Sequence, residues 1–209
     1  MKVLILAPHV DDGEFGCGGS IAKFLNEGSE VYYVAFSLCE DSLPEGFPKG
    51  TLKKELMEAT QVLGINPKNL IVFDYPVRYH PKNRQAILED LVKLKKKLDP
   101  DVVFVPTSTD IHQDHHTIYQ ESLRAFKNTT ILGYEFVWNN FSVKINAFIC
   151  LDEEQVRKKT DAVNKYKSQK GRHYVDDDFI ENLARIRGAQ ISCKYAEAFE
   201  VIRWIIRKI

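Results

Sequence analysis

Short apolar runs alternate with amphipathic stretches through the first half of the chain. "KVLILAP" (2–8) predicts a strand buried on both faces, since its apolar residues are contiguous. "SIAKFLNEG" (20–28) predicts a helix, with Ser20 as its cap and Gly28 as its stop. "EVYYVAFS" (30–37), "NLIVFDYP" (69–76) and "DVVFVP" (101–106) predict further strands. "TLKKELMEATQVLG" sets Leu52, Leu56, Ala59 and Leu63 at helical spacing and ends on Gly64. "RQAILEDLVKLKKKL" (84–98) does the same with Ile87, Leu88, Leu91, Leu94 and Leu98, leaving Lys95–Lys97 on a solvated face. "LCEDSLPEGFPKG", "RYHPKN" and "TSTDIHQD" read as loops, and "HHTIYQESLRAF" (115–126) as a helix.

Alternation of this kind predicts a three-layer α/β/α architecture: a mostly parallel sheet with helices on both faces. The second half departs from it. "TTILGYEFVW" (129–138) and "INAFICLD" (145–152) are β candidates, followed by two helices at 153–169 and 176–192. "AFEVIRWI" (198–205) is a closing strand or a short helix. That departure leaves room for antiparallel strands at one edge. The chain has 209 residues, 44% hydrophobic, no repeat and no low-complexity linker, so residues 1–209 are expected to form one domain.

Lys+Arg and Asp+Glu balance at 29 each, so nothing marks a nucleic-acid partner. No apolar stretch reaches the ~18 residues of a membrane span. "VLILA" is too short for a signal peptide, and a cytoplasmic protein is expected. Cys17, Cys39, Cys150 and Cys193 show no C-x-x-C spacing and are expected as separate reduced thiols.

The chemistry gathers at two predicted strand ends, where open α/β sheets bind ligands. After the first strand stands "APHVDDGEFGCGGS" (7–20); after the fourth stands "DIHQDHH" (110–116). The glycines, Gly13, Gly16, Gly18 and Gly19, fit neither G-x-G-x-x-G nor a phosphate loop, and two aspartates would repel a pyrophosphate. They read as close strand–helix packing. His9, Asp11 and Asp12 lie on one loop; His112, Asp114, His115 and His116 lie on the other. Asp12, Asp110 and Asp114 also suit helix caps. Taken together, two His/Asp clusters on neighbouring crevices point to a metal site. Two imidazoles and a carboxylate with an open position suit catalytic zinc, or a non-heme iron triad. A spare carboxylate would serve as general base on a metal-bound water.

These residues resemble the PIG-L/LmbE family of zinc-dependent N-deacetylases, whose opening motif is commonly A-H-P-D-D-E or P-H-P-D-D-E followed by G-x-G-G. "DIHQDHH" resembles the family's H-x-D-H motif. "KYKSQ" (165–169), "RIRGAQ" (185–190) and "KYAEAFE" (194–200) resemble its later signatures. The resemblance implies a Rossmann-like fold, with one zinc ion per chain on His9, Asp12 and His115, iron and cobalt being alternatives. It implies Asp11 as general base, His112 as an imidazolium stabilising the oxyanion, and Asp114 orienting a histidine. The implied reaction releases acetate from an N-acetylated amino sugar or its conjugate. Family members often assemble, which leaves a homo-oligomer open. Val10 stands where the family has proline. Gly13 stands where it has glutamate, so Glu14 shifts the acidic group by one position. Lys53 stands where many members have a substrate-contacting arginine. Arg78, after the third strand, is a second substrate-binding candidate.

Two other classes are weighed against this. A non-heme iron oxygenase would use His9, Asp11 and His115, but such enzymes generally sit on an all-β frame. A non-catalytic sugar- or nucleotide-binding module would carry a structural metal, which normally has four protein ligands. Tyr75, Tyr79, Trp138 and Phe141 are candidates for a sugar pocket, though aromatic residues more often belong to core or rim. His173 lies in a polar loop within reach of the site.

Overall fold

The structure, a computed structural model, describes residues 1–205. Its elements run β1 (Lys2–Ala7), α1 (Asp12–Asn26), β2 (Glu30–Ala35), α2 (Thr51–Leu63), β3 (Leu70–Val72), α3 (His80–Leu98) and β4 (Val102–Pro106). Then follow α4 (Gln113–Ala125), β5 (Thr130–Tyr134), β6 (Ala147–Leu151), α5 (Glu153–Val163), α6 (Asp177–Ala189) and β7 (Tyr195–Arg203). The described residues form one seven-stranded sheet in the order β3-β2-β1-β4-β5-β7-β6. The first five are parallel; β7 runs antiparallel to both β5 and β6. The mostly parallel α/β/α expectation and its antiparallel edge are both met.

β1 shows why the sheet is covered on both sides. Val3, Ile5 and Ala7 pack on one face with Leu52 and Leu56 of α2 and Ile21 of α1. Leu4 and Leu6 pack on the other with Ile87 and Leu91 of α3 and Ile118 of α4. Each fully buried aliphatic side chain contributes roughly 1.5–3 kcal/mol through water removal.

Three local expectations are corrected. The first helix begins at Asp12, not Ser20, and breaks at Cys17, whose φ is −151° and ψ 27°. Ser20 Oγ has no hydrogen-bond partner among the described residues; instead Glu197 on β7 accepts from the Gly19 and Ser20 N–H groups at 3.0 and 2.7 Å. A carboxylate from across the sheet thus caps the restarted helix. α4 is capped by His112 and not by an aspartate: its Nδ1 accepts from the Asp114 N–H at 3.1 Å. Cys150 and Cys193 form a disulfide, against the expectation of four free thiols; Cys17 and Cys39 are free. Among the described residues no helix is long and apolar enough to cross a membrane.

The glycines act as packing positions. A Cβ on Gly16 would lie 2.4 Å from the Tyr134 ring, and one on Gly13 2.3 Å from the Tyr33 ring.

Candidate metal centre and active site

From β1 the chain moves outward to β2 and β3, then returns past β1 to β4. The β1/β4 crevice is therefore a topological switch point, where the loops beyond the strands part and leave room for a ligand. His9 follows β1 and the 107–112 loop follows β4. Both loops are tethered. The Val10 carbonyl accepts from the Tyr33 and Tyr166 hydroxyls at 3.0 and 2.7 Å. Buried Glu14 sits against the same two hydroxyls, with Tyr166 at 3.0 Å. On the other side Glu200 accepts from Ser108 N–H and Oγ at 2.8 and 2.7 Å, and Asn140 Nδ2 donates to Thr107 Oγ1 at 2.8 Å.

Three donor atoms converge between the loops. His9 Nδ1 lies 3.1 Å from Asp12 Oδ2, His115 Nε2 lies 3.3 Å from that oxygen, and the two nitrogens are 3.2 Å apart. An ion about 2.0–2.1 Å from each of three tetrahedral donors would hold them about 3.3 Å apart. The residues fit a metal of the zinc class. His112 also brings a ring nitrogen within 4.8 Å of those of His9 and His115, so a metal-binding histidine cluster is present as well. The tighter triangle is the one with Asp12.

With protons alone at the site, its charges are strongly shifted. Burial opposes the charge of His115, but Asp12 and Asp110 outweigh it and carry the ring up to about 10. Burial likewise opposes His9, yet Asp12 and Asp114 raise it to about 8. Burial would raise Asp12, but the two imidazoles hold it well below the usual carboxylate range. This is a strong cation site that protons fill by default.

Each candidate histidine ligand has its own carboxylate behind it. Asp114 Oδ2 lies 3.0 Å from His9 Nε2, and Asp110 Oδ2 lies 2.8 Å from His115 Nδ1. Such partners fix ring orientation and raise ligand basicity. Asp114 also accepts from the Arg78 and His80 N–H groups, at 2.5 and 3.1 Å. The hydrogen bond to His9, the nearby His80 and the Arg78 N–H overcome its burial and bring it to about 2. Asp110, read from sequence only as a cap, went unrecognised as a partner for His115. Its signal is an aspartate five residues before the candidate ligand.

His112 departs from the imidazolium expectation. Burial, with His115 and His9 nearby, brings it down to about 4. Its Nδ1 accepts a backbone N–H, so the neutral ring carries its proton on Nε2 and remains a donor.

A cleft of about 240 Å³ opens over this centre. His9, Asp11, Asp12, His112, His115 and Arg78 all line it. Asp11 is pushed up by burial and by Asp12, and no hydrogen bond ties its carboxylate to another side chain among the described residues. Lys53 is exposed on α2 and does not line the cleft; Leu52 does. His173 also stays outside and exposed, while its neighbours Arg172 and Tyr174 line the wall. Trp138 belongs to the wall, stacked on Tyr174 with centroids 3.9 Å apart. Tyr75 instead stacks on Phe36 and bonds Asp90, and Phe141 is 86% exposed. Tyr79 is exposed and His116 points to solvent, near Gln120.

The model of the PIG-L family, described as GlcNAc-PI de-N-acetylase, matches residues 4–126, a stretch holding β1, β4 and both loops. The chain belongs to the PIG-L family. This PIG-L chain is 28% identical over 172 residues to the uncharacterized deacetylase YaiS of Escherichia coli K12, covering 79% of this chain and 90% of the relative. Its fold is shared with the N,N'-diacetylchitobiose deacetylase of Pyrococcus horikoshii. The TM-score there is 0.80 at 23% identity, covering 96% of this chain and 83% of the other. The fold is shared as well with GalB of Pseudomonas putida KT2440, a 4-carboxy-2-hydroxymuconate hydratase. That TM-score is 0.78 at 19% identity, covering 100% and 98%. A hydratase on this frame means that the site, not the fold, must carry the argument for a reaction.

Proposed function

We propose that this PIG-L protein is a metal-dependent hydrolase that removes the N-acetyl group from an amino sugar or amino-sugar conjugate. The observation that carries the reading is a spare buried carboxylate, Asp11, beside a two-nitrogen, one-oxygen donor triangle in a cleft. A structural metal would normally take a fourth protein ligand and need no base. His9, Asp12 and His115 would hold the ion, with zinc the expected species. Such an ion supplies Lewis acidity and a water of lowered pKa.

The chain's own residues would do the rest. Asp11 accepts a proton from the attacking water and returns it to the departing nitrogen. Water adds across the amide C–N bond, giving acetate and a free amine. His112 Nε2–H donates to the carbonyl oxygen as negative charge grows there; one such donor is worth ~3–4 kcal/mol. Asp114 and Asp110 keep His9 and His115 oriented. Trp138 and Tyr174 give the sugar an apolar wall.

The test is acetate release from a panel of N-acetylated sugars, with metal content measured alongside. Asp11→Asn should keep its metal and lose at least about 100-fold in kcat. A metal-loaded wild type that frees no acetate from any member of the panel would overturn the deacetylase reading. Full activity in Asp11→Asn would remove Asp11 from its role.

A further inference from the structure

His80 opens α3 with its side chain wholly buried, and it takes no part in the proposed hydrolysis. Neither ring nitrogen has a hydrogen-bond partner among the described residues. A leucine would fill such a space without the cost of burying polar atoms. The ring stands near Tyr75 and His9, with centroids 6.1 and 5.9 Å away. The polar groups that face it are the Asp114 carboxylate and the Pro8 and Pro76 carbonyls. Nδ1 lies 3.5 Å from Asp114 Oδ1, about 0.5 Å beyond an ordinary N–H···O bond. Asp114 is itself wholly buried, and an ionised carboxylate has about four acceptor sites to satisfy. Oδ2 meets His9 Nε2 and the Arg78 N–H, and Oδ1 meets the His80 N–H. The His80 ring covers the fourth.

We infer that His80 is a positioning residue for the candidate metal ligand His9 and acts through Asp114. The inference rests on the reading of His9 as a ligand and goes beyond it. The polar groups facing the ring are all acceptors, so the ring can serve them only as a donor. The carboxylate is the strongest acceptor among them, and the ring proton is assigned to Nδ1, towards Asp114. Held on both oxygens, the carboxylate cannot swing away from His9 Nε2. His9 thereby keeps its ring plane, with Nδ1 turned to the donor triangle. The backbone beside His80 shows the same demand. Arg78 has a φ of +71°, in the left-handed region that non-glycine residues seldom adopt, and its N–H goes to the same carboxylate. The turn into α3 thus brings two backbone N–H groups and one ring to a single carboxylate. A buried imidazole weakens the fold at this point and sharpens the metal site.

The test uses the whole chain, with zinc and cobalt as probes. Zinc affinity is read by competition with a chelating dye, ligand geometry by the cobalt d–d spectrum, and fold stability by melting of metal-free protein. His80→Leu should weaken zinc binding about tenfold and shift the cobalt bands. It should also melt at the wild-type temperature or higher, since it buries no unpaired polar atom. His80→Asn sets an amide N–H near the Nδ1 position and should recover most of the affinity; His80→Gln, which sets it near Nε2, should recover less. Asp114→Asn should weaken binding alone, and adding His80→Leu to it should cost little more. That non-additivity separates action through Asp114 from a general packing effect. Unchanged affinity in His80→Leu, or an undiminished loss in the Asp114→Asn background, overturns the inference. Should His80→Leu fail to fold, equal affinities in His80→Asn and His80→Gln overturn it instead. A loss in Asp114→Asn alone would leave His9 standing as a ligand and remove only His80. Wild-type affinity in both single variants would refute the two together. His80-dependent zinc affinity in a protein that frees no acetate would keep this inference and sink the deacetylase reading.

Discussion

Asp110 Oδ2 stands 2.8 Å from His115 Nδ1, five residues on across the start of α4. The same carboxylate accepts the His112 N–H through Oδ1 at 2.8 Å, so one side chain positions two histidines. Asp110→Asn keeps the shape and weakens the acceptor. It should lower metal affinity about 10- to 100-fold, as losses behind metal-bound histidines do. Competition against a chelating dye measures this. An unchanged affinity would mean that His115 is not a ligand.

Metal uptake should release protons. At pH 7 the metal-free site holds protons on both His9, raised to about 8, and His115, raised to about 10. An incoming ion must displace them, so affinity should climb steeply with pH up to 8 and less steeply from 8 to 10. Calorimetry in buffers of different ionisation heats should count about two protons released at pH 7 and about one at pH 9. No proton release at pH 7 would contradict this account of the triangle.

Glu14 is raised to about 8 by burial, against the pull of its Tyr33 and Tyr166 bonds. It is therefore neutral at pH 7 and can donate through Tyr33 towards the Val10 carbonyl. A carboxyl raised in the folded state contributes stability that is full below its unfolded value of 4.5 and lost as pH rises through 8. Glu14→Gln keeps a donor and removes the titration. Its melting temperature relative to wild type should rise between pH 5 and pH 9. A difference that stays flat with pH would show that Glu14 is ionised throughout.

The Cys150–Cys193 bridge closes a loop of 43 residues and joins β6 to the turn before β7. A closure of that length is worth about 2–4 kcal/mol of unfolding free energy. Replacing both cysteines with serine should lower stability by that amount, with little change in turnover, since neither residue lines the cleft. Equal melting curves for oxidised and reduced wild type would rule out this contribution.

These particulars show what was legible beforehand. β1 to β4 announced themselves because contiguous apolar runs and helical spacing follow directly from burial on two faces. The two His/Asp clusters could be singled out because each lies beyond the end of a buried strand, whereas the choice of His9, Asp12 and His115 within them came from the family resemblance. The disulfide could not, because Cys150 and Cys193 become neighbours only when β6 pairs with β7. Arg172 was invisible for the same reason: a loop far along the chain folds back over Asp11. The misplaced start of α1 reflects a helix restarted by Glu197, 177 residues beyond Ser20. No local rule contains that partner.

The pairing of β1 with β4 has a bearing on how the molecule assembles. Val3, Leu4 and Ile5 sit opposite Val102, Val103 and Phe104, and the two halves of the donor triangle lie beyond these strands, His9 and Asp12 after β1 and His115 on α4 after β4. A slip of one residue would move one half by about 3.3 Å. That is the length of the triangle's longest edge, 3.3 Å. An ion captured during folding would therefore reward only the correct alignment, and metal capture would act as a proofreading step for the central strands.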